Sequence, residues 1–409
     1  MSSKAEPPAS TETKAVIIPR IPQDIIDEIL DHLAADSDIR SLKTSVLVSK
    51  PWVQSCRRHL FHTVLFTSTD VDRWLETFPV SGESPARYVR HLRIWIGGDS
   101  GVPERFFEHT SQFTGAERVS LLGHSGLPCP LRPSFWRLPQ SVTSLTIETS
   151  VVTLVQVRDI MAQLPNLDEL LLSGPLATAD RRGLPGIGTV LKGKFGGKLS
   201  LIDGHADEGV INMLLEIPSG LCFTEVRIHC THERLLPAVR LAEACSKSLM
   251  KLLYTVTLHC KPTPSPAQQI STLTQFPDVV GCEVERSFDF SEFPNLQEVS
   301  FACRVGWRDG GLPWIPMAFS TLKSTTSPRL SSIQLDLAGS PLCRPANTYI
   351  RDMGDDLRRI ADEFARIECE FGGAVNLTVV RDSKIKVVLD TLNVRFRFVA
   401  STGPRGRAY

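Results

Sequence analysis

Cys-x-x-Cys pairs are absent from this 409-residue chain, although it carries ten cysteines. Thiols scattered without ligand spacing argue against a zinc module and against a disulfide framework. Charge of one sign is missing too: 45 Lys and Arg face 45 Asp and Glu. A dedicated nucleic-acid binder shows a basic excess or stripe, and none is present. No run of about 18 apolar residues exists to span a membrane. The opening "MSSKAEPPASTETKAV" has no apolar core of signal-peptide length. Together these absences predict a cytoplasmic and/or nuclear protein with reduced thiols, meeting neither membrane nor nucleic acid. What remains is ordinary globular material, 42% hydrophobic and 22% charged, in a chain long enough for several domains. Residues 1–18 are polar and proline-containing and read as a disordered tail.

The stretch "IPQDIIDEILDHLAADSDIRSLKTSVLVSKPWVQSCRRHLF", Ile21 to Phe61, is rich in apolar side chains. Pro22 fits a first helical turn, where its missing N–H is not needed. Ile25, Ile26, Ile29, Leu30 and Leu33 then make an apolar face wider than a two-position seam. A second helix can start at Asp36 or Ser37, both good caps, with Ile39, Leu42 and Val46 inward. Pro51 forces a fresh start, and Ser49 is placed to cap a third helix carrying Trp52, Val53, Cys56 and Leu60. A unit of about 40 residues with neither metal nor disulfide rarely closes a stable core alone. Its surplus apolar faces therefore need a partner surface.

These residues carry a resemblance. "IPQDIIDEILDHL" followed by "SLKTSVLVSKPWVQSCRRHLF" resembles the F-box, in particular the F-box-like segments of fungal proteins, over residues 19–62. The match runs through Ile21-Pro22, Ile25, Ile29, Leu30 and Leu33, then Val46 to Ser49, and closes at Trp52. It departs at the "AADSD" junction and at Pro51. The resemblance implies a three-helix unit that docks on a Skp-type adaptor and, through it, on a cullin of a ubiquitin ligase. The residues expected at that interface are Pro22, Ile25, Ile26, Ile29, Leu30, Leu33, Val48 and Trp52.

Beyond it, a loose L-x-x-L-x-L pattern recurs. It appears at Val89, Leu92, Ile94; at Ala116, Val119, Leu121; at Val142, Leu145, Ile147; and at Leu167, Leu170, Leu172. Later copies are Phe223, Val226, Ile228; Leu253, Val256, Leu258; Leu296, Val299, Phe301; and Leu330, Ile333, Leu335, with "GGKLSLIDG" between the two sets. Helical patterns such as "TLVQVRDIMAQLPNL" separate them, and such strand–helix units bury their apolar faces by stacking. In period and pattern, residues 85–340 resemble degenerate leucine-rich repeats. The expected fold is thus an α+β or α/β repeat: a three-helix F-box, a leucine-rich-repeat-like solenoid, and a C-terminal helix-and-strand cap. That cap spans 341–400, with "TYIRDMGDDLRRIADEFARIECEF" as one long helix and "NLTVV", "KIKVVLD" and "VRFRFVA" as strands. Residues 401–409 read as a loose tail.

Motifs that would carry chemistry fall short. "GTVLKGKF" (Gly188 to Phe195) nearly matches a phosphate-cradling loop, but Phe195 stands where a magnesium-holding hydroxyl belongs. "IHCTHE" gathers His229, Cys230, His232 and Glu233, yet neighbours on a strand point to opposite faces. "GHSG" around Ser125 lacks the spacing of a nucleophile elbow. "NLT" at Asn376 is a glycosylation sequon by letter only. No nucleophile, base and orienting acid belong together, so neither catalysis nor a cofactor or metal is expected. The favoured function is a substrate-recruiting adaptor of an SCF-type ligase, its repeats binding a target the sequence does not name. The alternative is an enzyme or small-ligand-binding α/β protein whose N-terminal helices are merely structural.

Residues 63–84 follow the third helix without a Gly/Ser-rich linker. "TVLF" reads as a strand and "VDRWLETF" as a helix with Val71, Trp74, Leu75 and Phe78 inward, sealing the end of the repeats. The F-box is then expected to be held rigidly. Limited proteolysis of the full chain should find the join between Phe61 and Pro85 resistant. Early cleavage there, releasing an intact C-terminal fragment, would contradict it.

Overall fold

The computed structural model describes residues 21–78, 84–96, 101–123, 137–149, 152–174, 195–202, 208–217, 220–231, 235–257, 287–305, 312–339, 346–381, 383–391 and 399–400. Both expected tails lie outside these residues. The chain divides into two compact units, Met1–His62 and Thr63–Tyr409.

The first unit holds helices α1 (Gln23–Ala35), α2 (Ile39–Ser45) and α3 (Lys50–Leu60). Its caps differ from expectation. Asp38, one residue past the expected Ser37 and two past Asp36, starts α2 by accepting the Ser41 N–H at 3.0 Å. Ser37 instead takes a positive φ of 57°, which turns the chain between the helices. Ser49 precedes α3 with extended backbone but makes no side-chain cap bond.

The second unit begins β1 (Thr63–Phe66), α4 (Ser68–Thr77), β2 (His91–Trp95), α5 (Glu104–Glu108), β3 (Arg118–Leu122) and β4 (Ser144–Glu148). It continues α6 (Leu154–Met161), β5 (Glu169–Ser173), β6 (Phe195–Ile202), α7 (Glu208–Leu215), β7 (Leu221–Thr231), α8 (Leu235–Ala244) and β8 (Lys251–Thr257). It ends β9 (Glu298–Val305), α9 (Trp314–Ser320), β10 (Ser332–Gly339), α10 (Ala346–Glu370), β11 (Asn376–Arg381), α11 (Ser383–Thr391) and β12 (Val399–Ala400). Among the described residues all twelve strands form one sheet, parallel throughout and ordered as in the sequence.

The expected architecture is corrected by this sheet. An F-box followed by a leucine-rich-repeat-like solenoid with separate caps is not what the chain builds; it is an α/β protein with one continuous parallel sheet and interleaved helices. β1 pairs with β2, and β11 and β12 extend the same ladder beyond β10. The physical reason is that alternating apolar residues mark a strand with one buried face but not where its sheet ends. What binds the strands is parallel hydrogen bonding through crossovers of unequal length, which a fixed repeat period does not describe.

Within strands the alternation fixes which side is buried. Leu92, Val119, Leu145, Leu170, Leu199 and Val226 lie in register across six neighbouring strands, all buried. A parallel row runs Phe66, Ile94, Leu121, Ile147, Leu172, Leu201 and Ile228. β8 departs from expectation by one residue. Tyr254 and Val256 face inward with Leu252, and Leu253 faces outward, because "LLYTVT" has apolar residues on both sides and the neighbours choose the phase.

"KIKVVLD" is also corrected, from a strand to helix α11, with Ile385 and Leu389 buried one turn apart. Two successive parallel strands cannot be joined by a third in line; the return needs a crossover. α10 presents Leu357, Ile360, Phe364 and Ile367 as its buried seam. Its Arg366 donates to the Phe319 and Leu322 carbonyls at 2.7 and 3.1 Å, satisfying acceptors at the end of α9.

A ladder of shared carbonyls stitches the strand starts together. Arg90 O accepts from the N–H groups of Glu117 and Arg118; Glu117 O accepts from Thr143 and Ser144; Thr143 O accepts from Asp168 and Glu169. Gln297 O repeats the pattern with Ser331 and Ser332. At the β1 end, Phe66 packs against Phe106 and Trp74, ring centroids 4.8 and 5.2 Å apart. Val71 and Trp74 of α4 are buried there, with Leu75 and Phe78 half-buried.

Where β6 starts, the register with β7 shifts between Gly197 and Lys198. Gly197 has φ +72°, and a Cβ there would overlap the Asp168 carbonyl and carboxylate. Gly197→Ala combines positive φ with that clash and should lower stability by about 1–3 kcal/mol or more. A thermal melt at or above the wild-type midpoint would contradict this account of the bulge.

Candidate functional site

In the helical unit, Ile26, Leu30, Leu42 and Cys56 form the core, with Leu33, Ala34, Val46, Trp52 and Leu60 partly buried against it. Polar ties brace α1 against α3. The Asp27 carboxylate accepts from Ser55 Oγ at 2.6 Å and Gln23 Nε2 at 2.9 Å, which hold its pKa below the ordinary aspartate range. Asp31 meets His59 at 3.0 Å.

This core divides the residues expected to meet a partner. Ile26 and Leu30 are 4% and 0% exposed, so they close the unit's own interior. Leu33 and Trp52 pack half-buried on that interior. Pro22, Ile25, Ile29 and Val48 stay outside, Ile25 at 46% and Ile29 at 40% exposure. Three further apolar groups join them: Ile21, Ile39 and Leu47, the last 84% exposed. Ile25 and Ile29, four apart, share one face of α1, and Ile21 is exposed just before the helix begins. Ile39 and Leu47, with Arg40, Lys43 and Thr44, line a shallow depression of about 510 Å³ on α2 and the turn after it. Sequence reading had turned Ile39 inward with Leu42 and Val46. The signal available was its place beside cap Asp38, in a first turn that projects beyond the short core.

The sheet unit offers a second surface. Sequential parallel strands with right-handed crossovers carry their helices on one face. The opposite face shows outward rows set by the register. The row at the strand starts reads Glu169, Lys198, Glu225, Lys251 and Glu298 across five adjacent strands, alternating in sign. Lys251 Nζ lies 2.9 Å from Glu298, and that carboxylate, with Glu225 on the other side, holds the ammonium above its ordinary range. Over β2 and β3 the pattern stops. His91 stands opposite Arg118 and Arg93 opposite Ser120, with His91 Nε2 2.8 Å from Ser120 Oγ. Among the described residues, neither Arg93 nor Arg118 is paired with a carboxylate, and the outward positions of β1–β3 carry none.

A hollow of about 920 Å³ lies beside the starts of β4–β6, lined by Ser111, Arg137, Gln140, Ser141, Gln163 and Phe195 among others. No described lining residue is His, Cys, Asp or Glu, the usual general bases. Cys245 is pushed up to about 12 by burial, and Cys303 further, which keeps both thiols protonated and unreactive. Cys230 faces inward, 2.9 Å from the Tyr254 hydroxyl, while His229 faces the other way. His232, Glu233, Ser125 and residues 188–194 of the glycine-rich loop lie outside the described residues. Asn376 is exposed where β11 begins. Among the described residues no three His, Cys, Asp or Glu side chains gather as a metal site. Nor is any described helix long and apolar enough to cross a membrane.

No protein-family model matches the chain, and no curated protein matches it either.

The split between buried and exposed residues on α1 is directly measurable. Leu30→Ala opens a cavity in a four-residue core and should cost about 2–5 kcal/mol. Ile29→Ala, one position earlier, should cost within about 0.5 kcal/mol. Hydrogen exchange of the α1 amides in the full chain should accelerate sharply only in the first variant; equal acceleration in both would refute this burial assignment.

Proposed function

We propose that the chain is a non-catalytic adaptor: its helical unit docks on a Skp-type adaptor of a cullin ubiquitin ligase, and its sheet unit holds the protein to be modified. One observation carries this reading. The unit closes its core with Ile26, Leu30, Leu42 and Cys56 and still leaves six large apolar side chains, Ile21, Ile25, Ile29, Ile39, Leu47 and Val48, in water. Isolated exposed apolar residues need no explanation, but this many in a short segment mark a surface awaiting a partner. The F-box-like order of residues over 19–62 points the same way. Anchors of this kind gain affinity when their apolar area is removed from water at the centre of an interface.

The rival reading, a small-ligand-binding protein or enzyme, draws on the hollow beside β4–β6. Arg137, Gln140 and Gln163 would suit a polar ligand there. Without a His, Cys, Asp or Glu among its described lining to activate Ser111 or Ser141, it supports binding more than turnover.

Co-expression with a Skp-type adaptor tests the favoured reading. The wild-type chain should co-purify with it. Ile25→Asp combined with Ile29→Asp should abolish co-purification while leaving the melting curve of the chain intact, since both side chains are already in contact with water. Co-purification at wild-type strength would sink the reading.

A further inference from the structure

We infer that the cationic end of the outward sheet face, around Arg93 and Arg118, receives an extended acidic peptide segment of the recruited protein. This rests on the reading that the sheet unit holds the target. Elsewhere along the strand starts the face balances itself: each of Lys198 and Lys251 sits between two glutamates in register. Over β2–β3 the balance fails, leaving Arg93 and Arg118 with His91 and no described outward carboxylate on β1, β2 or β3. Unpaired cations project a potential over roughly 8 Å at physiological salt. Guanidinium groups also present a planar fork that matches a carboxylate in two hydrogen bonds. Thr146, opposite Ser120 in the next strand, adds a hydroxyl to the same row.

The rest of the outward surface limits the ligand further. Leu171, Ile202 and Leu253 lie outward on β5, β6 and β8, half-buried rather than covered. Five steps of about 4.8 Å separate β3 from β8, so an extended chain of roughly eight residues spans from the arginines to Leu253. The segment is therefore acidic over Arg93 and Arg118, and further on alternates apolar residues, beside Leu171 and Leu253, with a polar one that meets the exposed Arg227 of β7. It lies across the strands, because a sheet face offers side chains, whereas added strands need a free backbone edge.

The test uses purified full-length chain and an array of fluorescein-labelled octapeptides. Each begins with three Asp or Glu residues followed by alternating apolar and polar residues; each has a twin with Lys for the acids, and an eight-nucleotide oligo-dT serves as a non-peptide polyanion. Acidic peptides should bind, their Lys twins should not, and affinity should fall as salt rises. Arg93→Glu with Arg118→Glu should weaken binding at least about tenfold. Arg93→Gln with Arg118→Gln should shift it the same way by less, which guards against misfolding of the reversed pair. No acid-dependent binding, unchanged binding in both double variants, or oligo-dT bound as tightly as the best peptide would each overturn the proposal. Retained co-purification with a Skp-type adaptor alongside such a failure would remove the acidic segment alone; the Ile25/Ile29 pair, which tests docking, should leave peptide binding unchanged.

Discussion

Every strand of the sheet unit hydrogen-bonds to its neighbours in sequence, in parallel, and this constraint decides most of the remaining structure. A parallel partner can be reached only by a crossover, and crossovers of one hand in a sequential sheet all return on the same side. Helices therefore form one layer, and among the described residues no helix is interleaved on the opposite face. The two buried rows through Leu92 and Ile94 lie on the side the helices pack against; the outward rows carry most of the strands' charges and hydroxyls. The shared carbonyls at the strand starts, such as Thr143 O with Asp168 and Glu169, hold neighbouring strands in one register. That register is what turns separate glutamates and lysines into an alternating row.

The helical unit is governed by size instead. With about 40 residues it has few interior positions, and Leu30, Leu42 and Cys56, at most 1% exposed, already fill them. Further apolar residues cannot enter without overpacking a finished core. Ile25 and Ile29 are thus exposed by geometry: they lie on the turns of α1 facing away from α3, whereas Ile26 and Leu30 are buried. Asp27, on the far side of the buried stripe from Ile25 and Ile29, ties the helix to Ser55 and fixes its rotation. A rotation of α1 by one position would exchange the two stripes.

Strand positions and the long helix α10 were legible in the sequence because periods of 2 and 3.6 survive without knowledge of neighbours. Leu357, Ile360, Phe364 and Ile367 are buried as their spacing requires. Architecture was not legible to the same degree. Leucine alternation looks the same in a stacked repeat, a cap strand or a continuous sheet, so the boundaries drawn at 84/85 and 340/341 cut through a single ladder. The β8 phase was ambiguous because Leu252 and Leu253 are equivalent by composition, and only Val226 and Val299 on either side select the former. "KIKVVLD" reads as a strand from its β-branched residues; topology forces it into a helix. At the candidate interface the first helix offered Ile25 and Ile26 as equals. Which of two adjacent residues turns inward is set by α2 and α3, whose placement a helical spacing does not contain.

The two surfaces differ in the kind of recognition they support. The outside of α1 and the α2 turn is apolar and convex, and its free-energy gain comes from removing isoleucine, leucine and valine from water, which favours a lasting contact with one constant partner. The outward sheet face mixes apolar residues such as Leu171 and Leu253 with charges that, along the strand starts of β5–β9, are matched strand by strand. Matched charges add little affinity, because a ligand must displace one partner to engage the other. Discrimination then falls to places where the match is incomplete, among the described residues β2–β3 and the exposed Arg227 of β7. A face built this way rejects most proteins through its hydrated Glu–Lys row, while admitting a segment whose own charge completes the row. In the adaptor reading, a constant apolar dock and a selective polar face are the two properties one chain has to combine, and here they rest on separate units with separate cores.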